Sequence, residues 1–474
     1  MEKNINISEI KHPTKIHLSY SLGSFFDDFI ATVLSMWVFK FYETEVFLPI
    51  FFITIAIVIY GIWNAFNDPL AGHISGYSFN FMKKYGRRFT WFIMAAIPCS
   101  IVYFLIFLPP GNDVLAFIWL LIILCVFDTL FSFTIINWQG IYPDKFRSQK
   151  ERTKVAGIQI ICSLFGLALG IILPTFIITS GPPGTNIDSY VLVMGLVSII
   201  CLIVVLLMIP GMRESKKMIK RTVVEEVDQV EEKEENQESY FQKLKFGLKQ
   251  KNFISYLFAY LGQTVVMALM LASLPYWLQY VLGIDDPFAE TIILLAFLLA
   301  SVASSPIWVR IARKYGNRIG YMFGTGGTAL NLIITLFISM FIPSFFAVMV
   351  GIALIGFTMG ATWTLIYATF SDVIDEIVVK SEERDEGIFY GFRTFFGRLS
   401  IVIQALTFGI IHPLTNFDPK SLTQPIQAQW GITVGMFIVP AIFYFIGFLF
   451  MWRIYDLKPQ KVAKVKEELF ELDI

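Results

Sequence analysis

The sequence predicts an all-α integral membrane protein with twelve transmembrane helices in two six-helix bundles. Three observations predict it: the composition, the lengths of the apolar runs, and an internal echo between the halves. Of the 474 residues, 56% are hydrophobic and only 16% are charged, against roughly 25% charged residues in soluble domains. Twelve runs reach the ~20 apolar residues that a spanning helix needs. The formal net charge is zero, so no basic excess points to nucleic acid. Cys99, Cys125, Cys162 and Cys201 all fall inside apolar runs and form no CxxC pair, which reads as small hydrophobes rather than a disulfide frame or a zinc site.

The first run, 18–42, follows a polar stretch with no apolar core of a cleavable signal, so the first helix itself is expected to direct insertion. The next five runs are 47–75, 89–109, 114–143, 154–179 and 189–212. Loops after the second and fourth carry Lys83, Lys84, Arg87 and Arg88, then Lys145, Arg147, Lys150, Arg152 and Lys154. The alternate loops hold mainly Glu43, Glu45, Asp113 and Asp188. The second half repeats the alternation over 253–283, 287–316, 319–341, 345–375, 387–411 and 430–454, with Arg310, Arg313, Lys314 and Arg318 on one side and Asp285 and Asp286 on the other. The positive-inside rule then expects both termini and the central loop to be cytoplasmic, in a multi-pass protein of the cell membrane.

That central loop, 213–252, opens basic (Lys216, Lys217, Lys220, Arg221), turns acidic (Glu225 to Glu235) and closes basic (Lys243 to Lys251). Such a segment buries no core and reads as a linker. It divides the chain into an N-terminal bundle (1–212), a C-terminal bundle (253–456) and a cytoplasmic tail (457–474). The halves echo each other. Lys84-Tyr85-Gly86-Arg87-Arg88 returns as Lys314-Tyr315-Gly316-Asn317-Arg318, and Glu151-Arg152 as Glu383-Arg384, each about 230 residues later. A parallel repeat of six-helix halves with a solute site at their interface is the major facilitator architecture.

Charges inside the runs are the candidates for function, because a charge at that depth costs several kcal/mol and faces a cavity or a partner. Asp68 lies in the second run, with Asn64 one turn before it on the same helical face. A carboxylate and an amide oxygen so placed suit Na⁺; the carboxylate alone could bind and release a proton, or simply pair with a neighbouring helix. Pro69 frees a backbone carbonyl one turn back. Asp27 and Asp28 share the first run but point about 100° apart, so one of them is expected to face the cavity. Arg398 falls near the midplane of the eleventh run with Thr394 on its face, while Arg393 lies nearer the cytoplasm, where it could snorkel. A midplane arginine balances a buried acid or holds an anionic group of the solute. Asp128 is central in the fourth run, above Asn137, Trp138 and Gln139. Such amides suit sugar hydroxyls and a tryptophan face suits a pyranose ring; Trp138, and Trp363 in the tenth run, are equally read as packing. Gly356 and Gly360 are spaced to let helices approach. An enzyme reading fails on motif: Asp27-Asp28 lacks a third acid for diphosphate, and no His-Glu-x-x-His or Gly-x-Ser-x-Gly elbow occurs.

With these residues in view, the chain resembles the glycoside–pentoside–hexuronide:cation symporters, the melibiose-permease type within the major facilitator superfamily. Trp63-Asn64-Ala65-Phe66-Asn67-Asp68-Pro69-Leu70-x-Gly72 is similar to the family's second-helix cation motif, and Lys84-Tyr85-Gly86-Arg87-Arg88 to the loop after it. Asp372-x-x-Asp375 followed by Arg384-x-Glu386-Gly387 resembles its signature between helices ten and eleven. The resemblance implies cation-coupled symport of a sugar or glycoside by alternating access, with no cofactor beyond Na⁺ or H⁺ as coupling ion and a monomer in the bilayer. It implies a sugar contact at Asp28, with Trp138, Gln139, Trp363, Thr394 and Arg398 nearby. Asn64, Asp68 and Asp28 are implied in the cation site, and Arg88, Asp372, Asp375, Arg384 and Glu386 in gating. Asn64 stands where the family has an acid, and Arg398 where it has a lysine; the helix-four acid falls at Ile135 and the tryptophan platform at Gln139. Relatives of this family also carry lysophospholipids, so an amphipathic or anionic solute is the second expectation, and a non-transporting sensor of the same fold the third.

Overall fold

A backbone in lipid has no water to satisfy its N–H and C=O groups, so helices that bond internally are the economical solution. The computed structural model describes residues 12–76, 82–146, 148–178, 182–215, 218–219, 245–284, 286–342, 344–381 and 386–471. Among these, every regular element is a helix, and 12 helices are long and apolar enough to cross a membrane.

The first six are α1 (Thr14–Lys40), α2 (Ile50–Ile74), α3 (Arg87–Leu105), α4 (Asp113–Gly140), α5 (Gln149–Ile177) and α6 (Ile187–Met212). The next are α7 (Lys251–Trp277), α8 (Pro287–Tyr315), α9 (Asn317–Phe341), α10 (Phe345–Ser381) and α11 (Glu386–Leu414). The last span, α12, runs from Ile426 to Arg453 and is broken by a π-helical turn, Val434–Ile438. A further helix, α13 (Pro459–Glu471), occupies the tail. Both α1 and α7, the helices that open the two halves, continue into π-helical turns, Phe41–Glu45 and Leu278–Leu282. A π turn shifts the helical face by one inserted residue, and its recurrence at matching places extends the echo seen in the loops. The acidic centre of the 213–252 loop lies outside the described residues.

The chain forms two compact units. The first holds α1, the end of α2 from Phe66, and α3 to α6; the second holds Tyr42–Ala65, with the start of α2, and α7 onward. Within the first, α1 packs along α5 and α6, and α3 along α4. The amine of Lys145 closes the end of α6 by donating to the carbonyls of Pro210 (3.5 Å), Gly211 and Arg213 (3.0 Å). That is the favourable place for a cation, at the negative end of a helix dipole.

Within the second unit, Glu43 of the first π turn is held by two partners. The Tyr276 hydroxyl donates to Glu43 Oε2 (2.6 Å), and His412 Nδ1 lies 2.8 Å from Glu43 Oε1, with all three side chains buried. The largest packing seams join α8 and α9 to α10. The spaced glycines explain the first: a Cβ on Gly356 would sit 2.3 Å from the carbonyl oxygen of Phe297, and one on Gly360 2.5 Å from that of Ser301. Backbone cannot yield as a flexible side chain does, so these positions are closed to any larger residue. Gly356→Ala is therefore expected to destabilise the protein by ~1–3 kcal/mol, read as a fall in unfolding temperature in detergent. Gly72→Ala, with open space around its Cβ, serves as the control and should leave that temperature unchanged.

Candidate functional site

Asp68 belongs to a buried polar chain between α2 and α4. Asp128 and Ser132 lie four apart on α4 and so share one face. Opposite them, Asn67 donates through Nδ2 to Asp128 Oδ2 (3.0 Å) and to Ser132 Oγ (3.0 Å). Ser132 in turn donates to Asp68 Oδ1 (2.5 Å). Asn67 and Asp128 are each 1% exposed. Two carboxylates are thus linked through an amide and a hydroxyl inside one seam, which continues to Asn137 donating to Ser75 Oγ (2.8 Å). Asn67 Oδ1 accepts no hydrogen bond among the described residues. Pro69 lies within the helix and removes one intrahelical donor there. The seam therefore offers oxygen donors of the kind hard cations take, and acids able to hold a proton. Among the described residues no group of three or more His, Cys, Asp or Glu side chains gathers as a metal centre.

Asn64, the expected partner of Asp68, is buried one turn earlier on α2. Ser132 meets Asp68 directly, and Asn67 reaches it through Ser132. Neither was singled out from the sequence, although Ser132 follows Asp128 by one helical turn and Asn67 adjoins Asp68. Asp128 was singled out, and it enters through Asn67.

The expected solute residues divide between the two units. Asp28 is half-buried and accepts a hydrogen bond from Ser163 on α5. Of the two readings of Trp138, the geometry matches packing. It is 4% exposed, its indole donates to the Tyr20 carbonyl (2.9 Å), and its ring fills the space that a Cβ on Gly23 would need, 2.1 Å away. That is helix packing, and the ring offers no free face to a pyranose. Gln139 is exposed at the next position. Trp363 is half-buried and meets Phe297 edge-on at 5.7 Å. Thr394 is exposed and returns its hydroxyl to the Tyr390 carbonyl (3.1 Å). Arg398 is half-buried on α11. Arg393 does not snorkel: it is 8% exposed, among aromatic rings. Trp138→Ala is expected to cost ~3–5 kcal/mol of stability, measured by thermal unfolding, and to leave solute preference unaltered.

Of the expected gating residues, Arg88 makes an ion pair and Asp372 belongs to a tertiary brace. Arg88 pairs with Asp144 at 3.5 Å. Asp372 on α10 accepts from Asn317 (2.8 Å) and faces Lys466 of α13 at 3.9 Å. One turn on, Glu376 accepts from Asn252 (2.6 Å) and Lys461 (2.7 Å). Glu376 was not foreseen, because its partners come from α7 and α13. Asp375 is half-buried on α10, Arg384 lies outside the described residues, and Glu386 opens α11. Beyond the spans, Asp456 joins the same brace. Burial alone would raise its carboxyl, but donation from Lys251, Lys461 and Asn252 outweighs this and holds it well below the usual carboxylate range. Burial would lower the Lys461 amine, yet its bonds to Asp456 and Glu376 hold it above the usual range.

A depressed acid stabilises docking above its unfolded pKa and loses this as pH falls through the folded value. A raised lysine does so below its unfolded pKa and loses it as pH climbs through the folded value. Docking of α13 is therefore expected to persist from about pH 4 to about pH 10. Lys461→Ala should quicken hydrogen exchange across 459–471 at neutral pH; unaltered exchange would count against the brace.

Comparison with known proteins agrees with this architecture. Residues 19–458 match the family model described as MFS/sugar transport protein. The sodium-dependent lysophosphatidylcholine symporter 1 of Xenopus tropicalis is 21% identical over 455 residues, covering 89% of this chain and 83% of that one. An uncharacterised symporter of Bacillus subtilis is 22% identical over 480 residues, covering 99% and 96%. Among solved structures, a D-xylose–proton symporter superposes with a TM-score of 0.63 at 15% identity, covering 94% of this chain and 98% of that chain, a likeness of fold. The chain, a multi-pass membrane protein of twelve spans, belongs to the MFS/sugar transport family of major facilitator symporters, transporters rather than enzymes.

Proposed function

We propose that this symporter couples the entry of Na⁺ or a proton at the Asp68 seam to the movement of a sugar or glycoside by alternating access. The observation that carries the coupling is the hydrogen-bonded chain from Asp68 through Ser132 and Asn67 to Asp128. Loading that chain with a cation neutralises charge in a low-dielectric seam and alters how α2 and α4 are held together. Coupling then requires that each ligand raise the affinity for the other by the same free energy. The residues offered to the solute's polar groups are Asp28 and Gln139 in the first unit and Thr394 and Arg398 in the second. Both termini lie in the cytoplasm of a cell-membrane monomer, in keeping with the basic loops.

A lysophospholipid is the second reading. The symporters of lysophosphatidylcholine among the relatives favour it, as does the loss of Trp138 to packing.

Reconstituted vesicles test both readings. An imposed Na⁺ or pH gradient should drive uptake of a member of a glycoside panel or of lysophosphatidylcholine. Asp68→Asn is expected to reduce gradient-driven accumulation at least about tenfold, ~1.4 kcal/mol of coupling, while sparing exchange. Normal accumulation by Asp68→Asn would refute the coupling role.

A further inference from the structure

Arg393 is the eighth residue of α11, roughly 10 Å from its start at 1.5 Å per residue, and lies within the eleventh span. Its guanidinium carbon sits 4.5 Å from the ring centre of Tyr260, 5.2 Å from those of Tyr367 and Phe370, and 6.0 Å from that of Tyr256. Ring faces attract a cation, but they do not cancel its charge or accept the planar fork of N–H donors that a guanidinium presents. Among the described residues, Arg393 Nε has no hydrogen-bond partner and no carboxylate pairs with the side chain. Acids elsewhere in the unit have partners of their own: Glu43 has Tyr276 and His412, Asp372 has Asn317, Glu376 has Asn252 and Lys461, and Asp456 has Lys251.

The cage itself is firmly built. Tyr256 donates its hydroxyl to the Ile366 carbonyl (3.2 Å) and packs on Phe370 at 4.9 Å. The Tyr260 ring lies where a Cβ on Gly397 would be, 2.6 Å away. Tyr367, by contrast, is 63% exposed and forms the open rim. A buried intramembrane cation with aromatic walls, one exposed ring at the rim and no acid paired to it among the described residues calls for an anion. Carboxylate and phosphate oxygens match the guanidinium fork in a bidentate way.

We propose that Arg393, with Tyr256, Tyr260, Tyr367 and Phe370, forms a binding site for an oxyanion, the carboxylate or phosphate of the transported solute. The cation–ring contacts hold the arginine in place while the site is empty, and the oxyanion takes the N–H fork when it is filled. The aromatic rim receives the apolar or pyranose surface next to that charge. The inference rests on the transport reading only in taking the anion as cargo, since equilibrium binding needs no gradient.

Thermal stabilisation of the full chain in detergent tests it, at fixed Na⁺ and pH. Glucuronate is compared with glucose, lysophosphatidate with monoacylglycerol, and inorganic phosphate is added alone. At least one anion should stabilise the protein where its neutral counterpart does not. Glucuronate, lysophosphatidate or phosphate as the effective probe assigns the oxyanion to an acidic sugar, a lipid headgroup or a free ion. Arg393→Gln is expected to weaken that binding roughly thirtyfold or more. Arg393→Lys, which keeps the charge without the fork, should weaken it about tenfold. If the glutamine variant is not monodisperse, the lysine variant and the anion-against-neutral comparison on the unaltered chain carry the test. Failure of all three anions to bind, or equal binding by the unaltered chain and the variants, overturns the proposal. Retained anion binding in Asp68→Asn separates this result from any failure of cation coupling.

Discussion

Asn67 spends its amide N–H groups on Asp128 and Ser132, and Ser132 passes the contact on to Asp68. The interaction matters because the surrounding medium is apolar. A carboxylate within a spanning helix must find donors or a counter-charge, and the cost of leaving it without them exceeds any single packing contact. The chain of bonds fixes the register of α2 against α4. In the proposed coupling role, that register would respond to whatever neutralises the acids.

The second unit meets the same constraint in three other ways. Glu43 is buried with a histidine and a tyrosine hydroxyl, so that its π turn is tied to α7 and α11. Asp372 and Glu376, one turn apart near the end of α10, reach asparagines and lysines from three other helices. Arg393 is met by ring faces. The first two arrangements supply the bonds that a buried acid needs. The third leaves the donors of the fork available, and this difference distinguishes a brace from a binding group.

Apolar burial does little to hold one helix to another in lipid, because lipid tails are as apolar as the side chains. Close backbone approach does the work instead. Gly356 and Gly360 admit α8 to the surface of α10, and Gly23 admits the Trp138 ring to α1. Such contacts are short and smooth and rely on few directional bonds.

The twelve spans were legible in the sequence because backbone satisfaction in a bilayer admits few alternatives to a long apolar helix. Asp68 was legible for the same reason, as a charge where the medium penalises charge, and Asp128 with it. The roles of Trp138 and Arg393 were not. A tryptophan on a helix can face a ligand or a glycine, and Gly23 lies on a different helix, more than a hundred residues earlier. An arginine near a helix end can reach water or aromatic rings, and here the rings come from α7 and α10. Glu376 likewise acquires its meaning from Asn252 and Lys461, far away along the chain. Sequence by itself determined which segments cross the membrane and where charge is trapped, because these depend on each residue's own transfer from water. Only the tertiary structure decided which trapped groups satisfy one another, because that depends on which helical faces meet.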